Sequence, residues 1–244
     1  HQLPRAAGAG ALGAVGYATI LLASILRRLL TLPSQGDWRT PVPIIFMMGI
    51  VWAYHAQVLR KDERLAGEAP RQAGIRRIYH YLVAGIGLAA LLVGLGGVIS
   101  VLIRMVDQSL GSSLREQLAW FAAAVLAGLP VWVLNWRAVQ GIALAADPVA
   151  DAERTALTRK IYLYFFIFVA TMTVLSGLVY IAAQIFGLLL GEPAPTLSEL
   201  GQAIAFSLIA VGVWLFHGAS LRTDSRLSLD QRQARLGEVE ALIL

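Results

Sequence analysis

Two histidines and an asparagine recur in one setting, and they are the side chains best placed to do chemistry. His55, Asn135 and His217 each stand three residues after a tryptophan, in Trp52-Ala-Tyr-His55, Trp132-Val-Leu-Asn135 and Trp214-Leu-Phe-His217. That spacing puts each on its tryptophan's face of a helix. All three lie in apolar runs, where a polar side chain turned to lipid is costly, so the expected role is a hydrogen bond between helices. Imidazole also ligates the metal of a haem or chlorin, and His55 with His217 are the candidates for such a site. Asparagine in the third slot and the lack of further histidine away from span ends count against it. No cofactor and no metal site is expected.

Other chemistries are poorly served. The chain has no cysteine, which removes thiolate nucleophiles, thiolate metal sites and disulfides. It shows no Ser/His/Asp set, metal-ligand spacing or phosphate loop, so an enzyme is not expected. Asp107, Glu116, Glu192 and Glu199 fall at span ends or in loops, and no carboxylate is expected in mid-span. Ion-coupled carriers usually place one there. Gln184, Gln202 and Asn135 are the residues that would line a pore, if the chain is one.

The elements that position these groups follow from composition. Of 244 residues 57% are hydrophobic and only 14% charged, with mean hydropathy +0.67; soluble domains run near 45–50% and about 25%. Six runs approach or exceed the roughly 20 residues a helix needs to cross a bilayer. They cover about 6–26, 43–59, 78–103, 118–139, 161–190 and 200–221, giving an all-α integral membrane fold. The formal charge of +5 therefore bears on orientation and gives no reason to expect nucleic acid as a partner. The first run lacks the basic flank and cleavage pattern of a secretory signal and reads as a retained span that has lost a piece in front of His1.

Lys and Arg follow the even-numbered spans: Arg60, Lys61, Arg64, Arg71, Arg76 and Arg77, then Arg154, Arg159 and Lys160, then Arg222, Arg226, Arg232 and Arg235. Only Arg27, Arg28, Arg39, Arg104 and Arg115 follow the odd ones. This bias predicts both termini on the cytoplasmic side, with Arg27 and Arg28 against the trend.

The tryptophans at 52, 132 and 214 are 80 and 82 residues apart. Arg77-Ile-Tyr79-His-Tyr81 and Lys160-Ile-Tyr162-Leu-Tyr164 open the third and fifth spans at an offset of 83, which Gly94 and Gly177 share. Such periodicity marks an internal repeat. The unit is two spans long, so its copies point the same way, as parallel repeats. The expected divisions are 1–71, 72–154 and 155–222 for three two-helix repeats, then 223–244 for an amphipathic cytoplasmic tail. Tyr and Trp gather where bilayer meets water, so Tyr79, Tyr81, Tyr162, Tyr164 and the three tryptophans are expected to anchor there, and His80 to face headgroups with them.

Gly128, Pro130, Trp132 and Trp136 fit a Gly-x-Pro-x-Trp-x-x-His-Trp closing pattern, with Asn135 in place of His. Together with the basic-x-x-Tyr-x-Tyr opening, this resembles a bacterial polytopic membrane family of unknown function built from tandem two-helix units. The resemblance covers nearly the whole chain and implies an architecture but no activity.

Small residues every four positions, Ala6, Gly10, Ala14 and Ala18, then Ala119, Ala123 and Ala127, suit close helix packing. Pro130 is expected to kink the fourth span. In the tail Leu229, Leu236, Val239 and Leu242 or Ile243 form an apolar stripe suited to lie on headgroups or dock on a partner. The expected function is a membrane-embedded structural or interaction module, a scaffold or accessory subunit in a bacterial inner membrane. The alternative is a channel or facilitator for a small solute or ion along a pseudo-threefold axis. The expected partners are the lipid bilayer and either other membrane subunits or a second copy.

Overall fold

The computed structural model describes residues 3–33, 43–44, 46–47, 70–107, 109–145 and 147–243, and these contain six helices and no strand. They are α1 (Leu3–Leu29), α2 (Pro70–Arg104), α3 (Ser112–Ala143), α4 (Pro148–Arg154), α5 (Leu157–Leu189) and α6 (Leu197–Ile243). The segments Gly74–Arg104, Ser112–Ala143, Leu157–Leu189 and Leu197–Ala234 are long and apolar enough to cross a membrane. They mark the chain as a membrane protein. The expected span at 43–59 lies outside the described residues except for four positions.

Local chemistry sets the helix ends. Pro70 and Pro148 open α2 and α4, where a missing N–H costs nothing. Asp147 caps α4 by accepting from the Ala150 amide at 2.7 Å. Before α6, Thr196 and Glu199 exchange hydrogen bonds: the Glu199 amide donates to Thr196 Oγ1, and the Thr196 amide donates to the Glu199 carboxylate. This is a capping box. Helix α5 ends in a left-handed turn at Gly191, φ 85°, with the Glu192 amide returning to the Gly187 carbonyl. Helix α1 ends in the same turn, but a threonine, Thr31, takes the left-handed position at φ 57°.

One expectation changes here. A separate tail helix is expected from 223, yet α6 runs unbroken for 47 residues, about 70 Å at 1.5 Å per residue. Its continuity has a simple cause: no Gly or Pro falls between Ala219 and Leu236. The apolar stripe of the tail is turned outward at both described positions, Leu229 and Leu236. Pro130 sits inside α3 without ending it.

The chain divides into two compact units, His1–Trp136 with Thr196–Gln202, and Arg137–Pro195 with Ala203–Leu244. In the first, α1 packs on α2, and α2 meets α3 through small residues. A Cβ on Gly87 would lie 2.6 Å from the Trp132 amide nitrogen, and one on Gly128 would lie 2.6 Å from that of Leu91. Gly94 lies against the backbone of Phe121 and Val125, and the Phe121 ring fills the space over Gly97. Ala119, Ala123 and Ala127 are buried on the same helix. In the second unit Gly177 faces Ala203 and Ser207, and Tyr162, Leu163, Phe166, Ala170 and Ala210 are buried. Large apolar side chains cover the outside, among them Leu134, Phe165, Phe168, Leu178 and Phe186. In water they would form a liability, whereas lipid accepts them.

Close backbone approach predicts a contrast within α3. Gly128→Ala should lower stability by about 1–3 kcal/mol, since backbone blocks its Cβ on α2. Gly141→Ala meets open space and should leave the midpoint unchanged or raised by up to about 1 kcal/mol. Thermal melting in detergent compares the two.

Candidate functional site

Among the described residues the most elaborate polar arrangement gathers in the second unit, from the ends of α3 to α5 and the middle of α6. Arg159, in the first turn of α5, is fully buried. Its Nε donates to Asp224 Oδ2 at 2.6 Å and Nη2 to Oδ1 at 2.9 Å, a two-pronged pair. The same Nη2 reaches Gln140 Oε1 at 2.8 Å, tying α3 to α5 and α6. Asp224 is itself nearly enclosed, with 8% of its side chain exposed. Two buried opposite charges with satisfied hydrogen bonds can coexist where either alone could not.

A second cluster adjoins it in sequence. Arg154, 2% exposed at the end of α4, donates from Nη1 to the Ala143 carbonyl at 2.5 Å, where α3 runs out of internal partners. Its Nη2 donates to Gln231 Oε1 at 2.7 Å, and Ser228 Oγ donates to Asp151 Oδ1 at 3.0 Å. His217, Ser220, Asp224, Ser228 and Gln231 fall three or four residues apart along α6 and thus share one face. The first three are buried. The inward stripe of α6 is therefore polar from His217 onward, although the helix is apolar enough to span through that point.

The residues singled out by sequence fall as follows. His217 is 1% exposed, and its Nδ1 donates to the Val213 carbonyl at 2.8 Å. Its ring stacks on Phe166 at 5.4 Å between centroids and tilts against Tyr162 at 5.7 Å. In the first unit Asn135 Nδ2 donates to the Val131 carbonyl at 2.8 Å, and its Oδ1 accepts from His80 Nδ1 at 2.9 Å. His80 thus faces Asn135, with Tyr79 edge-on to it at 5.4 Å. Tyr81, Tyr162 and Trp136 are buried, while Tyr164 and Trp214 are exposed and Tyr79 and Trp132 are half-buried. Trp52 and His55 lie outside the described residues. Gln202 accepts from Ser100 at 2.7 Å and Gln184 is half-buried. Among the described residues no group of three or more His, Cys, Asp or Glu comes together to hold a metal.

Sequence reasoning missed the Arg159–Asp224–Gln140 lock. It counted Arg159 as a loop charge and ended the last span at 221, three residues short of Asp224. A usable signal exists: His217, Ser220 and Asp224 keep helical register, and no Gly or Pro falls from Ala219 through Asp224. Chemically, the network spends its donors and acceptors on joining helices.

Removing one partner leaves a buried charge alone. Arg159→Met or Asp224→Leu should each cost about 3–5 kcal/mol, and the double variant should recover most of that loss. Denaturant or thermal midpoints of the four proteins in detergent, set out as a double-mutant cycle, read the coupling.

Residues 77–212, more than half of the chain and spanning α3, α4 and α5 with most of α2, match the family described as Domain of unknown function (DUF5671). No curated protein and no solved structure matches. The match runs from the Arg77-Ile-Tyr79 opening into the first third of α6, short of His217 and Asp224, and the chain belongs to the DUF5671 family.

Proposed function

We propose that this chain is a membrane-embedded structural and interaction module, a scaffold or accessory subunit of a larger complex in a bacterial inner membrane, without catalysis of its own. The observation that carries the reading is the pairing of polar side chains with one another between helices: buried Arg159 with buried Asp224 and half-buried Gln140, and the half-buried pairs Asn135 with His80 and Gln202 with Ser100. Groups bonded to one another hold helices in register and are not presented to a substrate. The apolar outer surface, with Phe165, Phe168 and Phe186 exposed on α5, offers lipid or a neighbouring subunit a continuous contact.

The finer architecture in this proposal is six spans arranged as three parallel two-helix repeats. Two correspondences between the second and third copies support the repeat. Gly94 faces Phe121 and Val125, and Gly177 faces Ala203 and Ser207, residues offset by 82 or 83. Asn135 bonds back to Val131, and His217 bonds back to Val213, again offset by 82. The Lys and Arg bias supports cytoplasmic termini.

Reconstitution separates this reading from a solute pathway. Proteoliposomes should show no ion or small-solute flux above empty liposomes. Photo-crosslinking from position 168 in the native membrane should yield a defined complex with a membrane subunit or a second copy. Flux together with a monomer that crosslinks only to lipid would refute the module. Orientation has its own test, made clean by the absence of cysteine. Ser225→Cys should react with an impermeant maleimide only after cells are opened, and Ser113→Cys should react in intact cells.

A further inference from the structure

Where α1 ends against the start of α3, guanidinium groups outnumber their partners. Arg27, in the last turn of α1, is 3% exposed, pairs with Glu116, and donates from Nη2 to the Pro33 carbonyl at 3.2 Å. Arg115 Nη1 donates to the Leu30 carbonyl at 3.2 Å and to Thr31 Oγ1 at 3.0 Å. The Nε–H groups of both arginines are buried and meet no acceptor among the described residues. Arg28 adds a third, exposed guanidinium in the same helix turn. Among the described residues the carboxylate paired with them is that of Glu116. A buried donor left unmade is expensive, so such an arrangement is one that an added acceptor would complete.

Three neighbouring features say what that acceptor is. Arg115 sits in the first turn of α3 and Glu116 just after it; the leading backbone N–H groups of that helix have no partner within it and favour an anion. Thr31 holds a left-handed backbone that a β-branched residue resists, and strain of this kind gathers at ligand clamps. Finally, Ile25 and Leu29 of α1 are exposed at 48% and 73%, next to the guanidiniums in sequence and apolar. Guanidinium forks match phosphate oxygens, and an apolar strip beside them suits an acyl chain. We propose that Arg27 and Arg115, with the first turn of α3, bind the phosphate of an anionic phospholipid whose acyl chain lies along Ile25 and Leu29.

This rests on the chain being a membrane protein and is independent of its being a scaffold. The test uses the full chain in dodecyl maltoside, with dioleoylphosphatidylglycerol, dioleoylphosphatidylcholine or inorganic phosphate added, read by native mass spectrometry and thermal melting. The phosphatidylglycerol adduct should form and raise the melting point, and phosphatidylcholine should do neither. Arg115→Gln should weaken the adduct at least fivefold. So should the double variant Arg27→Gln with Glu116→Gln, which removes the ion pair as a unit so that no charge is stranded. Arg232→Gln on α6 should bind as the parent does. Protection by inorganic phosphate at the same concentration as the lipid, lost in the same variants, would support the phosphate site and assign it a soluble ligand. Equal binding of both lipids, or a phosphatidylglycerol adduct unchanged in both site variants, would overturn the proposal. A chain that failed to enter membranes at all would instead defeat the membrane reading beneath it.

Discussion

A charged or amide side chain that leaves water for the interior of a helix bundle must find its partner in the chain, because hydrocarbon supplies none. That constraint explains the arrangement of polar residues on α3, α5 and α6. Arg159 is buried because Asp224 presents both carboxylate oxygens to it and Gln140 takes the remaining reach of Nη2. Asn135 can sit among apolar neighbours because one end of its amide returns to Val131 and the other meets His80. Each such bond restricts how two helices rotate or slide past one another. The specificity of the bundle therefore rests on few residues, set against a background of interchangeable apolar contacts.

The apolar contacts obey a different rule. Lipid tails are as apolar as Leu or Phe, so burial from lipid does little to decide which face of a helix turns inward. Shape decides it. Where α2 meets α3, Gly87, Gly94 and Gly128 remove the side chains that would hold the backbones apart. The bulky residues Leu102, Leu126 and Leu134 are left on the outside of the same two helices. Small residues thus mark where α2 and α3 come closest, while these large ones face outward.

These two rules account for what the sequence revealed and what it hid. Helix content and four long apolar helices were legible from hydropathy alone. The small-residue ridge Ala119, Ala123 and Ala127 was legible too, and all three are buried. Hydropathy could not say that α6 continues past 221, because a helix leaving the apolar zone loses its hydropathy signal while keeping its hydrogen bonds. The better guide was the absence of Gly and Pro. Nor could spacing reveal the lock. Arg159 and Asp224 are 65 residues apart, on helices whose relative rotation is fixed by the contacts the pairing helps to make. Position in a charged link made Arg159 look solvated, and burial made it the largest fully enclosed side chain among the described residues.

Counting charges and pairing them lead to different conclusions, and the chain illustrates why both matter. Arg27 and Arg28 oppose the orientation favoured by the other basic residues, and a count treats them alike. Structurally they are unlike: Arg27 is enclosed and paired with Glu116, whereas Arg28 is exposed. The turn that follows them is the one built at the end of α5, yet there Gly191 takes the left-handed position without strain and here Thr31 does. A left-handed threonine costs roughly 1–2 kcal/mol relative to a residue free to adopt it. Its hydroxyl accepts from Arg115 and donates to the Leu30 carbonyl, and Arg115 also holds that carbonyl. Glycine would relax the backbone and lose the hydroxyl. The turn therefore exchanges conformational ease for a fixed position of Arg115, which places a guanidinium over the end of α1 where the last carbonyls carry negative charge.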